Sequence, residues 1–113
     1  MNPDGARAEA VCEALLRAAG LRIVARNWRC RHGELDLVAE DRGTLVFAEV
    51  RLRRSTAFGG AAQSITAAKR ARLVAAAGLY AARHPRMPCR FDVLLLESVD
   101  PPRVEWIRDA FGA

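Results

Sequence analysis

Gly33-Glu34-Leu35-Asp36-Leu37-Val38 and, further on, Val46-Phe47-Ala48-Glu49-Val50-Arg51 are the segments whose reading decides the fold. Each alternates apolar and polar residues with period 2, the pattern of a half-buried β-strand. Side chains on a strand point to opposite faces in turn. Leu35 and Leu37 are therefore expected on one face, with Glu34 and Asp36 on the other. On the second strand Val46, Ala48, Val50 and Leu52 are set against Phe47, Glu49, Arg51 and Arg53. Paired through the Asp41-Arg42-Gly43 turn, the two strands would show one apolar face. The opposite face would gather three carboxylates (Glu34, Asp36 and Glu49) beside a row of arginines. Clustered carboxylates repel one another and call for a cation, and hard cations such as Mg²⁺ prefer oxygen ligands. The competing reading is a solvated sheet face with cross-strand Glu–Arg pairs, worth about 0–1 kcal/mol each.

The flanking sequence supplies the rest of a domain. A first helix is expected from Pro3 to Ala19, with Asn2 as N-cap, Gly20 at the exit and a stripe of Val11, Ala14, Leu15 and Ala18. Glu13 and Arg17 are spaced for a surface pair. Leu21 to Trp28 reads as a strand, then the basic run Arg29-Cys30-Arg31-His32 leads into the turn at Gly33. With strands over Glu34–Ala39 and Thr44–Arg53, this makes a three-stranded meander. Ser55 to Gly60 reads as a loop. A second helix is expected over Ala67–Arg83, capped by Thr66, with Leu73, Val74, Ala77, Tyr80 and Ala81 inward. Phe91–Leu96 is apolar on both faces, as a central buried strand would be. After Pro101-Pro102, Val104–Ile107 suggests a short edge strand before a frayed tail. The order α-β-β-β-α-β predicts an α/β domain with a mixed sheet flanked by helices.

At 113 residues, 51% of them hydrophobic, the chain fits a single domain spanning 1–113 with its own core. No run approaches the roughly 20 apolar residues of a membrane span, and the charged first segment lacks a signal-peptide layout. A cytoplasmic location without membrane partners is expected. Cys12, Cys30 and Cys89 are too scattered for a thiolate zinc site and read as reduced packing residues. His32 and His84 read as loop histidines. The net charge of +5 points to a polyanionic partner, nucleic acid first. Among 18 basic residues Lys69 is the one lysine, a skew that looks compositional.

Asp36-x(12)-Glu49-x-Arg51 in this element order resembles the core of the PD-(D/E)xK, or restriction-endonuclease-like, nuclease superfamily. Gly33–Leu37, Val46–Arg51, Arg90-Phe91-Asp92-Val93, Glu105–Arg108 and Ala110-Phe111 together resemble the YraN-type family of small bacterial proteins, similar in fold to archaeal Holliday junction resolvases. The resemblance covers nearly the whole chain. It implies a nuclease acting on DNA, branched or single-stranded, in repair or recombination, with Mg²⁺ or Mn²⁺ as cofactor. It implies Asp36 and Glu49 as metal ligands, Glu9 on the first helix completing the shell directly or through water, and Glu34 as an additional or outer ligand.

The motif's basic position holds Arg51 where the superfamily usually has Lys. Arginine keeps its charge and does not serve as a general base, although it can orient water or neutralise phosphate. Three readings stay open: a tolerated replacement under the bias against lysine, a site that has lost cleavage and kept binding, and an amine supplied by Lys69 from the second helix. Arg26, Arg29, Arg31, Arg53, Arg54, Lys69, Arg70 and Arg72 are candidates for phosphate-backbone contacts, which position a strand without reading its sequence. Trp28 and Phe58 are candidates for stacking, with core packing preferred for Trp28. Asp92 is expected to be satisfied by a neighbouring Arg or backbone group rather than to act in catalysis. The alternatives to an enzyme are an inert nucleic-acid-binding module and a protein-interaction subunit of a larger assembly. A homodimer is an open option, through the Ser55–Gly60 loop or the final strand.

Overall fold

A computed structural model describes residues 3–52 and 65–112. Arg53, Arg54, Phe58, the expected 55–60 loop and the Asn2 cap lie outside the described residues. The chain runs α1 (Pro3–Ala18), β1 (Arg22–Cys30), β2 (Gly33–Asp41), β3 (Thr44–Leu52), α2 (Ala67–Ala81), β4 (Cys89–Val99) and β5 (Pro102–Phe111). The five strands form one sheet in the order β1-β2-β3-β4-β5. β3 and β4 pair in parallel and the other neighbours are antiparallel. This is the expected mixed α/β architecture with its αβββαβ order, extended by β5.

Local chemistry sets the element ends. α1 stops in a Schellman arrangement: Gly20, at φ +94°, donates to the Arg17 carbonyl (2.9 Å) and Leu21 to the Leu16 carbonyl (3.0 Å). The β2–β3 hairpin turns on Arg42 and Gly43, both at positive φ, as a two-residue turn matched to strand twist requires. The Thr66 hydroxyl accepts the Lys69 N–H at 3.1 Å and caps α2 as expected.

Helices cover both faces of the sheet. α1 lays Ala8, Cys12 and Leu16 on Leu37, Ala39, Val46, Ala48, Leu94 and Leu96. α2 lays Leu73, Ala76, Ala77 and Tyr80 on Leu35, Val38, Phe47, Phe91, Val93 and Leu95. Phe91 through Leu96 are all buried, as their two-sided apolarity predicts.

Four expectations need correction. The hairpin does not show one apolar and one acidic face, because each helix brings an apolar stripe to its own side. Leu35 and Leu37 belong to opposite faces, so the pleat of β2 changes parity at Asp36. The α1 stripe runs through Ala8, Cys12 and Leu16 instead of Ala14 and Ala18, which are exposed; the small side chains let the helix approach the sheet closely. β5 continues to Phe111, far beyond Ile107, because it follows the long β4 and stacks Phe111 on Phe91 with ring centroids 4.8 Å apart.

Candidate active site

The ladder between β2 and β3 runs from Asp41↔Thr44 to Leu37↔Ala48 and ends there. Asp36 and Glu49 are the next residues on each strand. Beyond the last pair, Asp36 Oδ2 accepts the Val50 backbone N–H at 2.9 Å, so a carboxylate replaces a ladder carbonyl. That bond draws Asp36 towards β3, against Glu49. Glu49 is only 6% exposed and Asp36 is half-buried. The solvated-face reading fails for this pair. It describes Arg22–Glu40 (2.6 Å) instead, between exposed ends of β1 and β2.

Two carboxyls this close and this dry do not both ionise readily. Burial pushes the Glu49 carboxyl up to about 8, Asp36 pushes the same way, and Lys69 pulls it back. Burial also raises the Asp36 carboxyl, opposed by the Val50 N–H, a hydrogen bond from Glu49 and the charge of Lys69. Of the two, Glu49 is the carboxyl pushed furthest towards its protonated form, by its deeper burial and by Asp36. Lys69 reaches the pair from the first turn of α2, with Nζ 3.3 Å from Glu49 Oε1.

Asp36, Glu49 and Lys69 form a wall common to two clefts. One, of about 200 Å³, adds His32, Glu34 and Arg72. The other, of about 330 Å³, adds Glu9, Val50 and Arg51. Arg51 Nε is the one buried side-chain nitrogen or oxygen without a hydrogen-bond partner among the described residues. A buried donor left unmade costs about 1–3 kcal/mol, so an anion reaching it would recover that deficit.

Glu9 and Glu34 are tied together by a residue the sequence reading did not select. Asn27 Nδ2 donates to Glu9 Oε1 (3.0 Å) and to Glu34 Oε1 (2.9 Å). Glu9 is raised by burial, with Asn27 opposing and Asp36 and Glu34 adding to the rise. The available signal was an asparagine inside a strand pattern, where that residue type is depleted. Among the described residues no three His, Cys, Asp or Glu side chains converge into a ready metal-ligand set. The acidic site is thus a close pair, Asp36 and Glu49, with Glu9 and Glu34 held alongside.

The basic candidates divide. Lys69 and Arg72 line the cleft, Arg29 reaches its Glu34 with Nε 3.7 Å from Oε2, and Arg31 and Arg70 are exposed. Arg26 is committed elsewhere: both ends of its guanidinium grip Glu13, with Nε 2.8 Å from Oε2. Glu13 also holds Arg17 at 2.9 Å, the expected helix pair. Trp28 packs edge-on against Tyr80 (5.3 Å), and Arg83 lies over its ring at 5.4 Å, which favours its core reading over stacking on a base. Cys12 is fully buried under the site, and burial pushes its thiol up to about 12, so it is an inert packing residue.

Asp92 is completely buried and fully satisfied, away from the clefts. It accepts from Arg90 Nε (3.0 Å), Trp106 Nε1 (2.9 Å) and the Asp109 backbone N–H (2.9 Å). Arg90 in turn reaches Asp41 at 2.9 Å, joining β4 to the end of β2. The expectation of an Arg and a backbone partner holds.

The profile of the uncharacterised protein family UPF0102 matches residues 8–96, which includes every element of the site. The chain belongs to this family. UPF0102 proteins similar to it include one from Methylobacillus flagellatus, 51% identical over the whole of both chains. Another, from Pseudomonas aeruginosa strain LESB58, is 50% identical over 96% of this chain and 92% of its own. A third, from Xanthomonas campestris pv. campestris strain B100, is 54% identical over 95% of this chain and 89% of its own. The likeness to YraN-type proteins is accordingly a family relation that spans the chain. No helix among the described residues of this UPF0102 protein is long and apolar enough to cross a membrane.

Proposed function

We propose that this UPF0102 protein is a divalent-metal-dependent nuclease, acting on DNA before RNA and on branched or single-stranded forms before plain duplex. The observation behind this reading is the close Asp36–Glu49 pair, half-buried and buried, drawn together at the end of a broken ladder with the Lys69 ammonium 3.3 Å from Glu49. A purely structural site has little use for two desolvated carboxylates, since hydrophobic residues of similar volume are often as stable or more so. Mg²⁺ characteristically takes one or two carboxylates plus substrate phosphate and keeps several waters. The donors here fit that requirement: Asp36 and Glu49 are two hard oxygen ligands that would hold the cation, and Glu9 and Glu34 line the two clefts that share them. A bound Mg²⁺ or Mn²⁺ would supply a water acidic enough to attack at neutral pH and a counter-charge for the phosphoryl oxygens.

The chain's own residues have distinct tasks in this scheme. Glu49 would hold the cation as a carboxylate, without its proton, and Asp36 stays fixed by the Val50 N–H. Lys69 supplies the amine that the motif usually places at the position of Arg51, and orients the attacking water or the phosphate. Arg51 brings its unused Nε to a non-bridging oxygen. Arg72, Arg29 and Arg31 neutralise flanking phosphates.

The test is a cleavage and binding panel with single strands, duplex, flaps and four-way junctions in Mg²⁺, Mn²⁺ or chelator. Metal-dependent cutting that disappears in Glu49→Ala and Asp36→Ala is expected. Cutting and metal binding that survive both substitutions would refute the reading. Arg51 in the motif position favours one competitor, an inert nucleic-acid-binding module; it predicts salt-sensitive binding with no cutting in any metal, even in Arg51→Lys. No binding to nucleic acid at low salt would point instead to a protein-interaction subunit.

A further inference from the structure

Asn27 stands in the middle of β1 with φ +48°, the left-handed region. Arg26 pairs with Leu37 and Trp28 with Leu35, so Asn27 lies opposite Asp36, where β2 changes parity. The backbone irregularity of one strand and the broken alternation of the next thus coincide at the acidic site. A left-handed residue is uncommon outside glycine, and asparagine is among the few types that tolerate it. The conformation turns the carboxamide towards α1 and the start of β2, where its nitrogen meets both Glu9 (3.0 Å) and Glu34 (2.9 Å).

The chemistry of the donor matters. A carboxamide nitrogen carries two hydrogens and no charge. Each hydrogen fixes one carboxylate, and neither neutralises it. A lysine or arginine here would hold the same two glutamates and cancel one of their two charges, weakening their attraction for a cation. The carboxamide itself leaves both anions charged near Asp36; the exposed Arg29 stands off the other oxygen of Glu34, with Nε 3.7 Å from Oε2.

We propose that Asn27 is the positioning residue of the acidic site, its left-handed backbone and neutral carboxamide holding Glu9 and Glu34 beside Asp36 to serve a divalent cation. This rests on the metal-dependent reading above. Asn27 touches neither cation nor substrate, and acts through the two carboxylates.

The test uses the full chain and Mn²⁺ itself as the probe. Asn27→Gly keeps the left-handed backbone without strain and deletes both donors. Asn27→Asp keeps size and backbone tolerance and turns the donors into acceptors. Each is compared with wild type in melting temperature, Mn²⁺ affinity by calorimetry, and kcat and KM on an oligonucleotide that wild type cuts. The expected result for Asn27→Gly is an unchanged or higher melting temperature with Mn²⁺ affinity and kcat lowered about 10–100-fold, as for lost outer partners of metal ligands. KM for the oligonucleotide stays put. Asn27→Asp shows the same losses. Wild-type Mn²⁺ affinity and kcat in a folded Asn27→Gly overturns the proposal while leaving the nuclease reading intact. Failure of both variants to fold overturns it in favour of a structural role. A wild type that binds no Mn²⁺ and cuts nothing removes the nuclease reading, and this inference with it.

Discussion

Raising the pH should destabilise this protein, and Glu49→Gln should remove most of that effect. The carboxyl of Glu49 titrates near the ordinary 4.5 when unfolded and near 8 when folded, chiefly through burial and then through Asp36. Between those values the native state holds the extra proton. Unfolding stability is therefore fully present below 4.5 and is lost as pH rises through 8. The gap corresponds to on the order of 3–5 kcal/mol for the pair, at about 1.4 kcal/mol per tenfold change in proton affinity. Asp36 and Glu9 are raised too, and act in the same direction. Glu13 is lowered by Arg26, but the pair is exposed and contributes little against this. The assay is urea unfolding at pH 5, 6, 7, 8 and 9, followed by tryptophan fluorescence at constant m. Wild type should lose several kcal/mol across the series, and Glu49→Gln should give a much flatter profile. Mg²⁺ at a hundred times its dissociation constant should restore about 2.7 kcal/mol at pH 8, and less at pH 5, where it must displace the proton. A wild-type profile that rises from pH 5 to 8, or an equal slope in Glu49→Gln, would refute the account of the pair.

Asp92→Ala leaves Arg90 and the Trp106 N–H without their buried partner, and should cost about 3–5 kcal/mol in chemical denaturation with nucleic-acid affinity of the remaining folded protein unchanged. Thr66→Ala removes the cap of α2; a loss of about 0.5–2 kcal/mol is expected in urea, and with it weaker anchoring of Lys69 one turn on. Lys69→Met should lower kcat about 100-fold or more on whatever nucleic acid wild type cuts, with KM moving less. A kcat unchanged in Lys69→Met would return the motif's basic role to Arg51.

The period-2 segments and the two-sided apolar run Phe91–Leu96 made the element order and the central strand legible, because burial leaves its mark in local alternation. The same rule misled at Asp36. Asp36's bond to Val50 and the left-handed Asn27 are tertiary facts, and no spacing rule places Leu35 and Leu37 on opposite faces. The α1 stripe was misread because alanine and cysteine bury closely yet weigh little in a hydrophobic pattern beside Val11 and Leu15. β5 was cut short because its exposed Arg103, Glu105, Arg108 and Asp109 thin the apolar pattern of an edge strand. Of the site, Glu9, Asp36, Glu49, Arg51 and Lys69 do line one cleft. Asn27 was invisible because its partners lie 18 residues before it and 7 after it.

A sheet whose spatial order repeats its chain order can be laid down strand by strand as synthesis proceeds. α1 and the β1–β3 meander emerge first and meet through short-range contacts, which form fastest. This half brings Glu9, Asn27, Glu34, Asp36 and Glu49, and none of it supplies the ammonium that faces them. β3 then waits for its parallel partner β4, and Lys69 arrives only as α2 closes the crossover. The nascent chain thus exposes an acidic ridge before the Lys69 ammonium can reach Glu49. A cation captured at that stage would bind an unfinished site, and the Lys69 ammonium would then dock against carboxylates whose pull on it is already partly screened.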